Sequence, residues 1–152
     1  MQRTLVLLKP DAVQRRVTGQ ILHRFEQKGL NMVALKLMRI TPELAKKHYA
    51  EHVQKGWYPS LEGFITSGPV MAMILEGPEA VRIVRDMVGA TNGQNAVPGT
   101  IRGDYGTSRQ MNLVHASDSP ESALRETGIF FGKEEICECE PALRPWLRAS
   151  DE

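Results

Sequence analysis

Hydrophobic positions along the chain alternate between two rhythms. The opening "TLVLLKP" is β-rich for five residues, Thr4 to Leu8, and then stops at Lys9-Pro10; it predicts a buried strand carrying Lys9 on its end. From Ala12 the period lengthens. Val13, Val17, Ile21 and Phe25 recur every four residues, with Leu22 beside them, and predict one amphipathic helix closed by Lys28-Gly29. "LNMVALKLMRI" predicts a second strand, after which Thr41-Pro42-Glu43 supplies an N-cap, a first-turn proline and an acid. That helix carries His48, Tyr49 and His52. "GWYPSLEGFITSGP" is broken by glycine and proline and allows a short helix at most. "PVMAMILEG" is apolar throughout, as a central strand is. Glu79 to Met87 predicts another amphipathic helix, with Ala80, Val84 and Met87 on one side. "NLVHA" predicts a fourth short strand, and Ser119-Pro120-Glu121 starts a helix through about Thr127.

Strand and helix thus alternate, with four strands and two crossovers. The pattern implies an α+β fold of the ferredoxin-like, split βαβ type: a four-stranded antiparallel sheet with helices packed on one face. A doubly wound parallel sheet is the alternative. Neither repeats nor an internal linker divide residues 1–152, so one domain is expected, followed by a tail over 137–152. The connection from Gly89 to about Gln110 stands out, because a glycine-rich, polar loop of that length inside a domain is usually functional or disordered.

Charge narrows the partners. With 19 basic and 18 acidic residues the formal net charge is +1, which leaves no overall basic footprint for nucleic acid or an anionic membrane. No segment approaches the ~20 apolar residues of a membrane span, and no signal-peptide pattern precedes Lys9; a cytoplasmic setting is the expectation. Cys137 and Cys139 sit too close together for a fold-stabilising disulfide, and four-ligand zinc spacing is absent.

Three groups of residues could carry chemistry. "HYAEH", His48 to His52, fits an H-x-x-E-H metal pattern, with two histidines four apart on a predicted helix; a third ligand is not evident. Arg85, Thr91 and Arg102 lie in or beside the long loop and offer forked cationic donors and a hydroxyl, as a polyphosphate needs. Singly, each is also an ordinary solvated residue. His115 ends the fourth strand. It is either a packed strand terminus or a nucleophile, since a neutral imidazole has one ring nitrogen free to attack phosphorus. A nucleophile needs an acceptor on its other nitrogen, and the helix from Ser119 offers Glu121 at its start and Glu126 two turns in.

Taken in order, "TLVLLKPDAVQRR", "HY" at 48–49, "SGPVMAMILEG", "GATN", "PGTIRGD" and "NLVHASDSPESA" resemble the nucleoside diphosphate kinase family over residues 4–131. The resemblance implies a ferredoxin-like sheet and transfer of a phosphate from a nucleoside triphosphate to a nucleoside diphosphate through a phosphohistidine. It puts His115 in the nucleophile's place, usually through Nδ1, and selects Glu126 as the orienting carboxylate. Ser117 matches a serine beside the histidine. Lys9 and Asn112 match residues reaching the sugar hydroxyl and phosphates, and Tyr49 matches a tyrosine near them. His52, Arg85, Thr91 and Arg102 fall on phosphate-contact positions, Arg109 on one flanking the base, and Trp57 where an aromatic, usually Phe, stacks on it. Mg²⁺ carried on the nucleotide is the implied cofactor, and a homo-hexamer or homo-tetramer, with the tail in subunit contacts, the implied assembly. Ala12 replaces the usual glycine after "KPD", and Met111 precedes Asn112 where relatives vary.

Overall fold

In the computed structural model, which describes residues 1–151, the opening apolar run becomes strand β1 (Gln2–Leu8). It is followed by α1 (Pro10–Gln14), α2 (Thr18–Gln27), β2 (Asn31–Arg39), α3 (Pro42–His48), α4 (Tyr58–Ile65), β3 (Pro69–Gly77) and α5 (Ala80–Val88). The rest comprises α6 (Ile101–Tyr105), β4 (Val114–Ala116), α7 (Pro120–Phe130) and α8 (Arg144–Leu147). The sheet order is β2-β3-β1-β4 and every neighbouring pair is antiparallel. This is the split βαβ, ferredoxin-like arrangement, with β1 and β3 in the middle.

Burial of every residue from Thr4 to Leu8 has a consequence that corrects the one-faced expectation: helices cover both faces. Val6 and Leu8 point into a core with Ile21 and Phe25 of α2 and Ala80, Val84 and Val88 of α5. Leu5 and Leu7, on the opposite face, pack with Ala45, Tyr58, Ile65 and Phe130 from the α3, α4 and α7 side. A strand covered twice has no polar face, and a continuous apolar run is what such a strand requires.

The long helix expected from Ala12 is two helices. Arg16 adopts φ +58°, Arg16 N–H bonds Val13 O at 3.1 Å and Val17 N–H bonds Ala12 O at 3.2 Å. That is a Schellman closure with arginine in the left-handed position, where a Cβ costs about 1–2 kcal/mol. The period-four spacing continues across the break because both helices pack on one core, leaving Val13 and Val17 half-buried. Ala12 is fully buried inside α1, so its methyl group adds to that core.

The Gly89–Gln110 connection is also more ordered than its composition suggests. Thr100 caps α6, its hydroxyl accepting from Gly103 N–H at 3.0 Å. A Cβ on Gly103 would lie 2.0 Å from Val97 O, so this glycine permits a close backbone approach. Ile101 and Arg102 are then carried inward.

Candidate active site

Sheet register places the histidine. His115 pairs across the sheet with Leu7, one residue before Leu8 and two before Lys9, so the ends of β1 and β4 meet at one point. The preceding residue pair is strained: Leu113, fully buried, has φ +72°. Its N–H is held by Asp11 Oδ2 at 3.0 Å and its carbonyl accepts from Lys9 N–H at 2.8 Å. Such a bulky residue stays in the left-handed region only when its surroundings over-determine it. β4 then runs for three residues against the five expected.

Helix α7 returns a carboxylate to the strand. Ser119 Oγ accepts from Ser122 N–H at 3.0 Å, a cap worth about 1 kcal/mol, and starts the helix where the sequence indicated. Two turns on, Glu126 Oε2 lies 3.0 Å from His115 Nε2 and accepts from Ser117 Oγ at 2.6 Å. Ser117 is fully buried and in turn accepts from Leu5 N–H at 3.3 Å, tying the pair to β1. Burial pushes the Glu126 carboxyl up, but the His115 hydrogen bond and charge, with the Ser117 hydroxyl, outweigh it and hold the group at about 2. An ionised carboxylate only accepts, so the proton on this contact sits on Nε2. His115 Nδ1 makes no hydrogen bond among the described residues. Glu121, the other acid the sequence offered, is exposed at the helix start.

A cavity of about 710 Å³ opens over this pair. Lys9, Arg85, Arg102 and Asn112 line its inner end together with His115 and Glu126. Lys9 is almost wholly buried; its Nζ donates to Asn112 Oδ1 at 2.7 Å. Burial, and then the charge of Arg102, lower its pKa to about 8. Asn112 spends both amide hydrogens on Thr91 O and Arg109 O, at 2.8 and 2.9 Å. It thereby fixes the long loop to the end of β1.

Arg102 has a larger structural share than its sequence context suggested. Its three guanidinium nitrogens donate to the carbonyls of Asn112, Gly89 and Val114 at 3.1, 3.1 and 2.5 Å. Burial lowers its pKa to about 10, with Arg85 adding to the effect. A buried guanidinium left unsatisfied is costly, and loop carbonyls satisfy it here. Its charge therefore faces the cavity from a fixed position.

The outer end is built differently. Trp57 is half-exposed at the start of α4, with the His52 ring centroid 5.2 Å from its own and Lys55 Nζ 5.3 Å from its ring. Thr91 and Arg109 stand opposite on the loop. Tyr49, nearly buried, lies between the two ends, its ring 6.5 Å from that of His115. Burial drives the Tyr49 phenol well above its usual range.

The sequence reading did not single out Asp11, Gln110 or Arg125. Gln110 lines the cavity and meets Ser60 of α4, accepting from its hydroxyl at 3.3 Å and donating to its carbonyl at 3.5 Å, so two polar contacts span the rim. Arg125 lies beside Glu126, Nη2 to Oε1 3.7 Å. Its position directly before Glu126 was the available signal. The "HYAEH" pair fails as a shared face. Helix α3 ends at His48 and a short 3₁₀ turn, Ala50–His52, follows, rotating the two imidazoles apart. His52 Nδ1 contacts Lys55 Nζ at 2.9 Å near the rim, whereas His48 is 3% exposed beneath His115.

Known proteins of the same family and fold are similar to this chain. The family profile for "Nucleoside diphosphate kinase" matches residues 2–136. A nucleoside diphosphate kinase of Rhodopirellula baltica is 65% identical over 152 residues, covering 100% of both chains. One from Archaeoglobus fulgidus is 51% identical over 147 residues, covering 97% of each. Among solved structures, a halophilic nucleoside diphosphate kinase from Halobacterium salinarum in complex with CDP superposes with a TM-score of 0.95. It is 48% identical and the match covers 97% of this chain and 98% of that one. With profile, relatives and fold in accord, the chain belongs to the nucleoside diphosphate kinase family.

Proposed function

We propose that this chain moves the terminal phosphate of a nucleoside triphosphate onto a nucleoside diphosphate by a ping-pong route through His115. The carrying observation is the 3.0 Å contact between His115 Nε2 and Glu126, itself held by Ser117: facing an ionised carboxylate, Nε2 carries the proton and the Nδ1 lone pair is left for the cavity. In the first half-reaction Nδ1 forms a bond to the γ-phosphorus while the bond from that phosphorus to the β–γ bridging oxygen breaks. The electron pair leaves with the diphosphate. The phosphorylated ring is cationic, and Glu126 stabilises it across the 3.0 Å contact. The second half-reaction reverses these steps, with a terminal oxygen of an acceptor diphosphate attacking phosphorus. Phosphoryl transfer asks mainly for positioning and charge neutralisation, and Lys9, Arg85 and Arg102 surround the inner end for that purpose.

Asn112 and Tyr49 hold the sugar and phosphate path, with Thr91 and His52 reaching the phosphates from the outer end. At the rim, the exposed Trp57 face and Arg109 take the base. Stacking suits any base because each has a π-face, whereas edge-reading hydrogen bonds would discriminate. Both half-reactions exchange one anhydride for another, so one site serves donor and acceptor alike.

The cavity carboxylates are few: Glu51, Asp118 and the already committed Glu126. That donor set suits Mg²⁺ brought on the phosphates better than an ion caged by protein. When bound, the ion neutralises phosphate oxygens. A homo-oligomer is supported by apolar side chains left exposed in the monomer, Leu35 and Leu37 on edge strand β2 and Leu143 and Trp146 in the tail. The tail passes that strand, Cys137 N–H bonding Val33 O at 2.7 Å. One domain over 1–152 with residues 137–152 at subunit contacts accords with this. Light scattering of the full chain and of a chain ending at residue 136 measures the assembly.

An exchange assay with ATP and dTDP tests the activity. Wild type converts dTDP to dTTP and His115→Ala does not; equal rates in the two would overturn the proposal.

A further inference from the structure

His48 is a buried group of this site that the phosphoryl-transfer reading does not employ. It is 3% exposed, its two ring nitrogens are buried, and neither has a hydrogen-bond partner among the described residues. Its ring stands edge-on to that of His115, centroids 4.6 Å apart at 85°, and its Nδ1 lies 4.0 Å from Glu126 Oε1. Phe130 closes the far side, ring centroids 5.1 Å apart, and Tyr49 flanks it at 4.4 Å. Two orphaned nitrogens at such depth are expensive unless something visits them.

One ligand atom from each of His48, His115 and Glu126 lies within 4.8 Å of the others. Three atoms so spaced share a point within about 2.8 Å of each, and zinc bonds to nitrogen and carboxylate oxygen are about 2.0–2.2 Å. Side-chain shifts of roughly 0.7 Å close the difference, within the reach of small torsional adjustments. The donor set is two imidazoles and a carboxylate, with the cavity open on the remaining side. Three protein ligands plus an open position is the arrangement zinc accepts at exchangeable sites. Mg²⁺ prefers oxygen donors and does not compete for two imidazoles.

We propose that His48, His115 and Glu126 form a site for a borderline divalent cation of the Zn²⁺ type, whose occupancy excludes a phosphoryl group from His115. Coordination through Nδ1 takes the attacking lone pair directly. Coordination through Nε2 displaces the Glu126 bond and withdraws electron density from the ring. Both block acceptance of phosphate, so the metallated and phosphorylated states are alternatives. Metal binding stands on the geometry alone; the blocking effect rests on His115 being the nucleophile.

The test is calorimetric titration of the nucleotide-free full chain with zinc chloride. One high-affinity ion per chain is expected, weakened at least tenfold by His48→Asn and by His115→Gln. It is unchanged by His23→Asn, on the exposed face of α2, and by the double variant Cys137→Ser/Cys139→Ser. Ring-nitrogen NMR of the wild type serves in addition, should His48→Asn not fold. Zinc is expected to shift the His48 and His115 resonances together and leave His23 in place. Separately, zinc should lower uptake of label from γ-labelled MgATP at least tenfold, with recovery on adding a zinc-selective chelator. Affinity unaffected by His48→Asn, affinity lost with the cysteines, or a shift at His52 without one at His48 overturns the site. No label without zinc would count against the nucleophile reading and leave the metal result standing.

Discussion

The inner and outer ends of the cavity are made by opposite means. At the inner end, His115, Glu126, Ser117, Lys9 and Arg102 are buried or nearly so, and each is bonded to a strand, a helix or a loop carbonyl. At the outer end, Trp57 is half-exposed and its neighbours His52, Lys55 and Arg109 are held by few contacts. Reacting atoms need fixed geometry, because small misplacements are costly in rate. A base that only stacks does not. The fold thus concentrates its rigidity where bonds change and leaves the recognition end adaptable.

If so, substitutions should fall off in severity from the inner end outward. His115→Gln removes the nucleophile, and exchange should drop by on the order of 10⁴–10⁶, as when a nucleophile is deleted elsewhere. Glu126→Gln keeps the volume but loses the charge on Nε2; kcat should fall roughly 10²–10³-fold with little change in KM, a cost typical of losing one preorganised electrostatic partner. Steady-state kinetics of the two variants measures both. A Glu126→Gln enzyme with wild-type kcat would break the claim that the tautomer matters.

Lys9 offers a pH test of the same end. Its pKa of about 8 lies well below that of a free lysine, so the cation is present below pH 8 and lost as pH rises through it. A falling alkaline limb in kcat/KM near pH 8 is expected in the wild type and absent in Lys9→Met, whose rate should lie roughly 10–100-fold lower, as for a lost charged hydrogen bond.

Stability probes the layer beneath. Burial lowers the His48 imidazole from the ordinary histidine value of 6.5 to about 3. Between these values the unfolded chain binds the proton and the folded chain resists it, so stability falls as pH drops from 6.5 towards 3. His48→Asn should flatten that part of the curve, measured as urea midpoints from pH 7 to 4. Glu126 acts with the same sign at lower pH, its contribution being lost between about 4.5 and 2.

The smallest effects belong to the rim. Trp57→Ala should raise KM about tenfold for all nucleotides and barely change kcat, consistent with a stacking energy of about 1–3 kcal/mol per base. Trp57→Phe should be within a few-fold of wild type. A Trp57→Ala variant selective among bases would contradict the stacking account.

Much of this arrangement was legible in the sequence, for identifiable reasons. The run from Thr4 to Leu8 dictated a buried strand, and Ser119-Pro120-Glu121 fixed where the returning helix begins. That start left Glu121 and Glu126 both open, and the family resemblance alone selected Glu126; in the fold Glu126 meets His115 at 3.0 Å while Glu121 stays exposed. Features depending on three-dimensional closure were not readable. A helix period passes through the Arg16 break because both segments share one core. Gly103 resembles a flexible turn residue until Val97 O is seen against it. Arg102 looks like a free donor until three carbonyls claim it. The "HYAEH" pair looks like one face until α3 ends between its histidines.

In the proposed reaction, phosphate is held by one nitrogen of one residue. The most direct measurement incubates the full chain with γ-labelled MgATP, removes nucleotide and locates the label by phosphorus and nitrogen NMR. Acid-labile, base-stable phosphate on His115 Nδ1, absent from His115→Gln, is the predicted result. Label on Nε2, on another residue, or persisting in His115→Gln would contradict the account.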